Sequence, residues 1–208
     1  MTWVKVCGLR TTDAVSAAVE AGADAIGFVM YEPSPRSVSP EAVSELVALA
    51  KGATPVAVTR DAGPDQVMDW VEKSGARAVQ PHGRYQMAVG AAAENSGLQV
   101  ILPTFPGFPP IQHQNWIPMV DNVEPGSGIT LDWHDLDYPG MGERWILAGG
   151  LSPSNVGEAI AATAAWGVDA SSGLESAPGV KDLDLIEAFV RVAKETSAWE
   201  QRASETRT

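Results

Sequence analysis

The sequence predicts an α/β fold, a single-domain (β/α)8 TIM barrel with the fifth helix short or missing. Short apolar runs that end in glycine or turn residues alternate with segments of helical period along the 208 residues. Runs of that kind are strands buried on both faces, as in a parallel sheet, and eight strand-then-helix units close into a barrel. An open doubly wound sheet is the runner-up, but no G-x-G-x-x-G follows the first strand. Residues 1–195 are expected to form the barrel and 196–208 a polar tail that frays.

Taken in order, Trp3-Val4-Lys5-Val6-Cys7 alternates and then meets Gly8, which reads as a five-residue strand. Thr12 is placed to cap a helix with Ala14, Val15, Ala18 and Val19 on one face, ended by Gly22. Ala25 to Val29 is the second strand, followed by the loop MYEPSPRSVS and a cap-plus-proline start at Ser39-Pro40. Thr54 to Thr59 is the third strand and Pro64 to Ser74 a helix. Ala78-Val79-Gln80 is the fourth strand, ending at Pro81-His82-Gly83, and an alanine-rich helix leads to a fifth strand at Leu98 to Leu102. From Pro103 to Pro118 five prolines leave no room for a normal helix. Ile117 to Val120 is the sixth strand, closed by Asp121; a polar loop follows, and Leu131-Asp132-Trp133 opens a short helix.

The stretch from Trp145 to Asp182 is the most informative. The apolar run Trp145 to Ala148 stops at Gly149-Gly150, Ser152 stands at an N-cap position before Pro153, and the helix is expected to end near Gly167. Val168 to Ala170 is the eighth strand and runs into Ser171-Ser172-Gly173. Gly149, Gly150 and Gly173 can close tight turns or let a backbone approach a ligand, with N–H groups that suit an anion. Two such turns on successive strands favour a phosphate cradle. Leu183 to Ala193 is a final amphipathic helix.

Formal charge is −12 with only 14 basic residues, which disfavours binding to nucleic acid or an anionic membrane surface. No apolar run reaches a membrane span, and Met1 to Arg10 lacks the apolar core of a signal peptide. One cysteine excludes an intrachain disulfide and fits a reducing cytoplasm. Three histidines and that cysteine show no metal-ligand spacing.

In a barrel of this kind the chemistry lies at the carboxyl ends of the strands. Cys7 ends the first strand; it is either a small buried hydrophobe or a proton-transfer group. Asp121 ends the sixth, as a cap or as a general acid between apolar walls. Arg36, in the stiff Pro33-Ser34-Pro35-Arg36 loop, presents a fork that suits a carboxylate or forms a salt bridge. His82 ends the fourth strand, with a structural histidine as the plainer alternative to substrate binding.

The stretches KVCGL at 5–9, DAIGFVMYEPSPRSVSP at 24–40, VQPHG at 79–83, VDNVEPGSGITLDW at 120–133, LAGGLSPSNV at 147–156 and VDASSGLESAPGVKD at 168–182 occur in that order. Together they resemble the phosphoribosylanthranilate isomerase family of tryptophan biosynthesis over nearly the whole chain. The resemblance implies a (β/α)8 barrel that performs an Amadori rearrangement, with Cys7 as general base and Asp121 as general acid. It implies that Arg36 holds the anthranilate carboxylate and that Gly128, Gly149, Gly150, Ser171, Ser172 and Gly173 face the phosphate. No cofactor is implied, because a proton moves and not a hydride. The implied partner is a small phosphorylated substrate, and the chain a monomer or homodimer. Three places depart from the family pattern: ILPTFPGF lacks a basic residue after the fifth strand, the third strand reads VAVTRD, and Pro81 precedes His82-Gly83. An isomerase of histidine biosynthesis, or a barrel serving both pathways, resembles this chain less, since that resemblance implies an aspartate where Cys7 stands. A barrel that only binds a phosphorylated ligand would lack the acid or the base, and both are present.

Overall fold

The computed structural model describes residues 1–105, 113, 115–121, 133 and 143–196. Eight parallel strands close into a barrel in sequence order: β1 (Trp3–Cys7), β2 (Ala25–Met30), β3 (Thr54–Arg60), β4 (Ala78–His82), β5 (Gln99–Thr104), β6 (Trp116–Val120), β7 (Ile146–Leu147) and β8 (Gly167–Ala170). Pairing of β8 with β1, Trp3 opposite Gly167 through Val6 opposite Ala170, completes the ring.

The helices α1 (Thr12–Glu20), α2 (Pro40–Val47), α3 (Pro64–Ser74), α4 (Gln86–Asn95), α5 (Val156–Thr163) and α6 (Leu183–Glu195) follow their strands. The alternation read in β1 decides what lies where. Val4 and Val6 belong to the core packed between strands and helices, whereas Cys7 belongs to a second cluster with Val56, Ile101, Ile117, Met119 and Ile146. With side chains alternating along a strand, Lys5 shares the inner side with Cys7, and Lys5 is fully buried. Among the described residues no helix is long and apolar enough to cross a membrane.

Several local expectations are corrected. Thr11, not Thr12, caps α1, its hydroxyl accepting from the Ala14 N–H at 3.3 Å. Ser152 does not cap α5: the Asn155 carboxamide takes the Ser152 N–H at 2.8 Å, forming a turn that delays the helix to Val156. That helix stops at Thr163, and Gly167 opens β8, where a side chain would strike the Trp3 ring. β5 runs through Pro103 to Thr104, paired with β6. A hairpin not foreseen, β9 (Glu175–Ala177) and β10 (Val180–Lys181), follows a single 3-10 turn at Ser172–Leu174. The question of a fifth helix, the loop holding Gly128, the helix expected to open at Leu131 and the tail beyond Thr196 lie outside the described residues.

Candidate active site

A cavity of about 780 Å³ opens at the carboxyl ends of the strands, and Cys7, Arg36, His82, Asp121, Ser171 and Ser172 all line it. That volume is in the range of sites that enclose a small molecule. Gly149, Gly150 and Gly173 are not among its lining residues. The first two have φ of 89° and 70°, which turns the chain sharply after β7. Among the described residues their N–H groups donate no hydrogen bond to the protein. At Gly173 a Cβ would lie 2.0 Å from the Leu151 carbonyl oxygen, so its bareness lets the β8 turn close on the β7 turn.

Cys7 is 6 % exposed and ends β1. Burial pushes its thiol above the ordinary value, the Lys5 charge opposing that rise. Lys5 donates to Asp169 Oδ1 at 2.8 Å, in an ion pair removed from water. Burial alone would lower the Lys5 pKa, but the charges of Asp169 and Cys7 outweigh it and raise it. Asp169 also lines the cavity. Asp121 is 8 % exposed at the end of β6, and its backbone N–H donates to the Thr104 carbonyl at 3.1 Å.

Arg36 forms the salt bridge of its second reading and also faces the cavity. It lines the cavity, and its Nε and Nη2 also donate to the two oxygens of Glu175 at 2.7 and 2.9 Å. The Glu175 side chain is itself buried and accepts from Lys181 at 2.8 Å and from the Gly179 N–H at 3.1 Å. Burial alone would raise its carboxyl pKa, but the hydrogen bonds from Arg36 and Lys181 hold it below the usual range. The β9–β10 hairpin is thus a clamp that fixes the guanidinium in place. Gly8 makes room beneath it, since a Cβ there would lie 2.8 Å from Arg36 Cδ.

His82 is neutral near pH 7. Burial first, then the charges of Lys5 and Arg60, lower its pKa to about 4. Its Nε2 lies 3.0 Å from Gln80 Nε2; with Gln80 donating, the imidazole proton sits on Nδ1. Gln80 is buried and lines the cavity, and its Oε1 has no hydrogen-bond partner among the described residues. Because the folded protein holds His82 neutral while the unfolded chain protonates near pH 6.5, the unfolded state binds more protons between pH 6.5 and 4. Stability therefore falls as pH drops through that window. His82→Gln is expected to recover about 2 kcal/mol of the stability lost between pH 7.5 and 5. Denaturant melts of both proteins at the two pH values check this, and parallel losses would refute it.

The model of the N-(5'phosphoribosyl)anthranilate (PRA) isomerase family matches residues 4–192. The chain belongs to this family. It is 39% identical to an N-(5'-phosphoribosyl)anthranilate isomerase from Bradyrhizobium sp. (strain BTAi1 / ATCC BAA-1182), over 92% of this chain and 94% of the relative. The crystal structure of TrpF from Jonesia denitrificans is 37% identical with a TM-score of 0.80, covering 94% of this chain and 98% of that one. A phosphoribosyl anthranilate isomerase solved in complex with reduced 1-(o-carboxyphenylamino)-1-deoxyribulose 5-phosphate is 29% identical, with a TM-score of 0.76 over 93% of this chain and 99% of that one. Within the isomerase barrel, the expected Cys7, Arg36, His82, Asp121, Ser171 and Ser172 come together at one mouth. Lys5, Gln80, Asp169, Glu175 and Lys181 surround them and were not foreseen. Lys5 alone had a signal: it is the charged residue in the same strand phase as Cys7.

Proposed function

We propose that this barrel converts N-(5-phosphoribosyl)anthranilate to 1-(2-carboxyphenylamino)-1-deoxyribulose 5-phosphate in tryptophan biosynthesis, with Asp121 as acid and Cys7 as base. One observation carries the reading: a thiol, a carboxyl group and a guanidinium, each from a different part of the chain, line one cavity in a barrel of the isomerase family.

Asp121 gives a proton to the furanose ring oxygen, and the C1′–O bond breaks to leave a protonated Schiff base. Cys7, as thiolate, then takes the C2′ proton. The resulting enolamine gains a proton at C1′ and loses the one on its C2′ hydroxyl, which leaves the ketone. The Schiff base is cationic, so a thiolate facing it is favoured over a thiolate in the empty site. Arg36, held by Glu175 on one edge, keeps Nη1 for the anthranilate carboxylate. The backbone N–H groups around Gly149, Gly150, Ser172 and Gly173 would take the phosphate, and the hydroxyls of Ser171 and Ser172 stand beside it. His82, as a neutral imidazole, contributes a hydrogen bond and no charge.

Loss of the fluorescence of phosphoribosylanthranilate on adding the purified protein tests the reading; absence of turnover above the uncatalysed rate refutes it. Arg36→Met is expected to act mainly on KM, because the carboxylate lies away from the bonds that change and is held alike in ground and transition states. A loss confined to kcat would assign Arg36 a different job.

A further inference from the structure

We propose that Lys5 sets the charge state of Cys7: its buried ammonium, anchored by Asp169, is the counter-charge against which the thiolate forms. The inference rests on Cys7 being the base, and makes Lys5 a positioning residue that acts through the sulfur.

The geometry starts with β1. Lys5 and Cys7 are two residues apart and share the inner side of the barrel. On the neighbouring strand Gly27 stands level with Cys7 in the β1–β2 register. A Cβ at Gly27 would lie 2.9 Å from Cys7 Sγ and 3.2 Å from Lys5 Cε, so both side chains fill the space that this glycine leaves. Lys5 is removed from water and donates to Asp169 Oδ1 at 2.8 Å. An ammonium carries three hydrogens, and that bond uses one of them.

A purely structural role explains this arrangement poorly. A buried ion pair adds little over apolar residues of similar volume, and the barrel interior is otherwise lined by Val56, Ile101, Ile117 and Ile146. The charges near the sulfur also have a consistent sum. Lys5 from β1, Lys181 from β10 and Arg36 from the loop after β2 are cationic; Asp169 from β8 and Glu175 from β9 are anionic. That leaves one positive charge in excess around a neutral thiol. Of the other groups lining the cavity, His82 is neutral, Arg60 at the end of β3 stands half in solvent, and Asp121 is the proposed proton donor. A thiolate therefore completes the balance. Lys5 is the member in the barrel interior beside the sulfur, and Lys181 is already bound to Glu175 and the Ser171 carbonyl.

Because Cys7 is the only cysteine, its ionisation can be followed without substrate, as thiolate absorbance at 240 nm in difference against a Cys7→Ser background. Lys5→Met is expected to raise the thiol midpoint by about one pH unit or more, a tenfold loss of thiolate at a fixed pH below it. Asp169→Asn keeps the lysine and removes the opposing charge, so it has to lower the midpoint. The double variant Lys5→Met/Asp169→Asn, which strands no buried charge, is expected to sit at least one unit above Asp169→Asn alone. Movement in opposite directions is not what a packing defect gives. Unchanged midpoints in folded variants overturn the proposal, as does an Asp169→Asn midpoint that stays or rises. The rising limb of kcat/KM against pH should move with the thiol. A wild-type protein that turns over no substrate would instead refute the functional reading, while the titration still decides Lys5.

Discussion

Cys7→Ala and Asp121→Asn are each expected to lower kcat by about 10²–10⁴-fold, the usual contribution of a well-placed acid or base. The fold should survive both changes. Cys7 loses one sulfur atom from a position that opens on the cavity, and Asp121→Asn keeps shape and size. The backbone bond from the Asp121 N–H to Thr104 does not depend on the side chain. The two losses should not multiply in the double variant, because the base acts on an intermediate that the acid creates. Turnover near wild type in either single variant, at unchanged circular dichroism, would remove that residue from its assigned role.

Glu175→Gln is expected to be the most destabilising change at the site. The carboxylate is 4 % exposed and carries Arg36, Lys181 and the Gly179 N–H at once. A carboxamide of the same shape leaves two poorly hydrated cations without their counter-charge, at about 3–5 kcal/mol for breaking a buried pair. The pH dependence has a definite sign. Its folded pKa is depressed, so the contribution is complete above the unfolded carboxylate value and is lost as pH falls through the folded one. The difference in stability between wild type and variant should therefore be largest at neutral pH and shrink below about pH 4. KM should rise as well, since Arg36 loses the clamp that orients it. A melting temperature unchanged at pH 7 would show that the cluster has no net energetic role.

The barrel was legible because its strands are continuous apolar runs and the cap at Ser39 follows local chemistry. Cys7 and Asp121 were legible because each stands at a strand end, and Arg36 because it sits in a stiff proline-rich loop. Two kinds of feature were not. The α5 boundary turned on the Asn155 carboxamide competing with Ser152 for the same turn, a choice that local propensity does not resolve. The pairs Lys5–Asp169 and Arg36–Glu175 span 164 and 139 positions, separations that no local pattern reports. Arg36 illustrates the limit: residue type and loop stiffness gave a carboxylate ligand or a salt bridge, and its partner, 139 residues away, shows the salt bridge on a guanidinium that also lines the cavity.

The pair between Lys5 and Asp169 also bears on how the molecule is made. The two residues are separated by 164 positions and meet only where the last strand closes on the first. A lysine cannot leave water without a counter-charge except at considerable cost. While the polypeptide is still emerging from the ribosome, β1 and its early neighbours therefore cannot settle into a finished inner surface. The first strand to be synthesised must wait for the eighth, so this barrel is expected to close as one event after translation has passed residue 170 rather than layer by layer behind it.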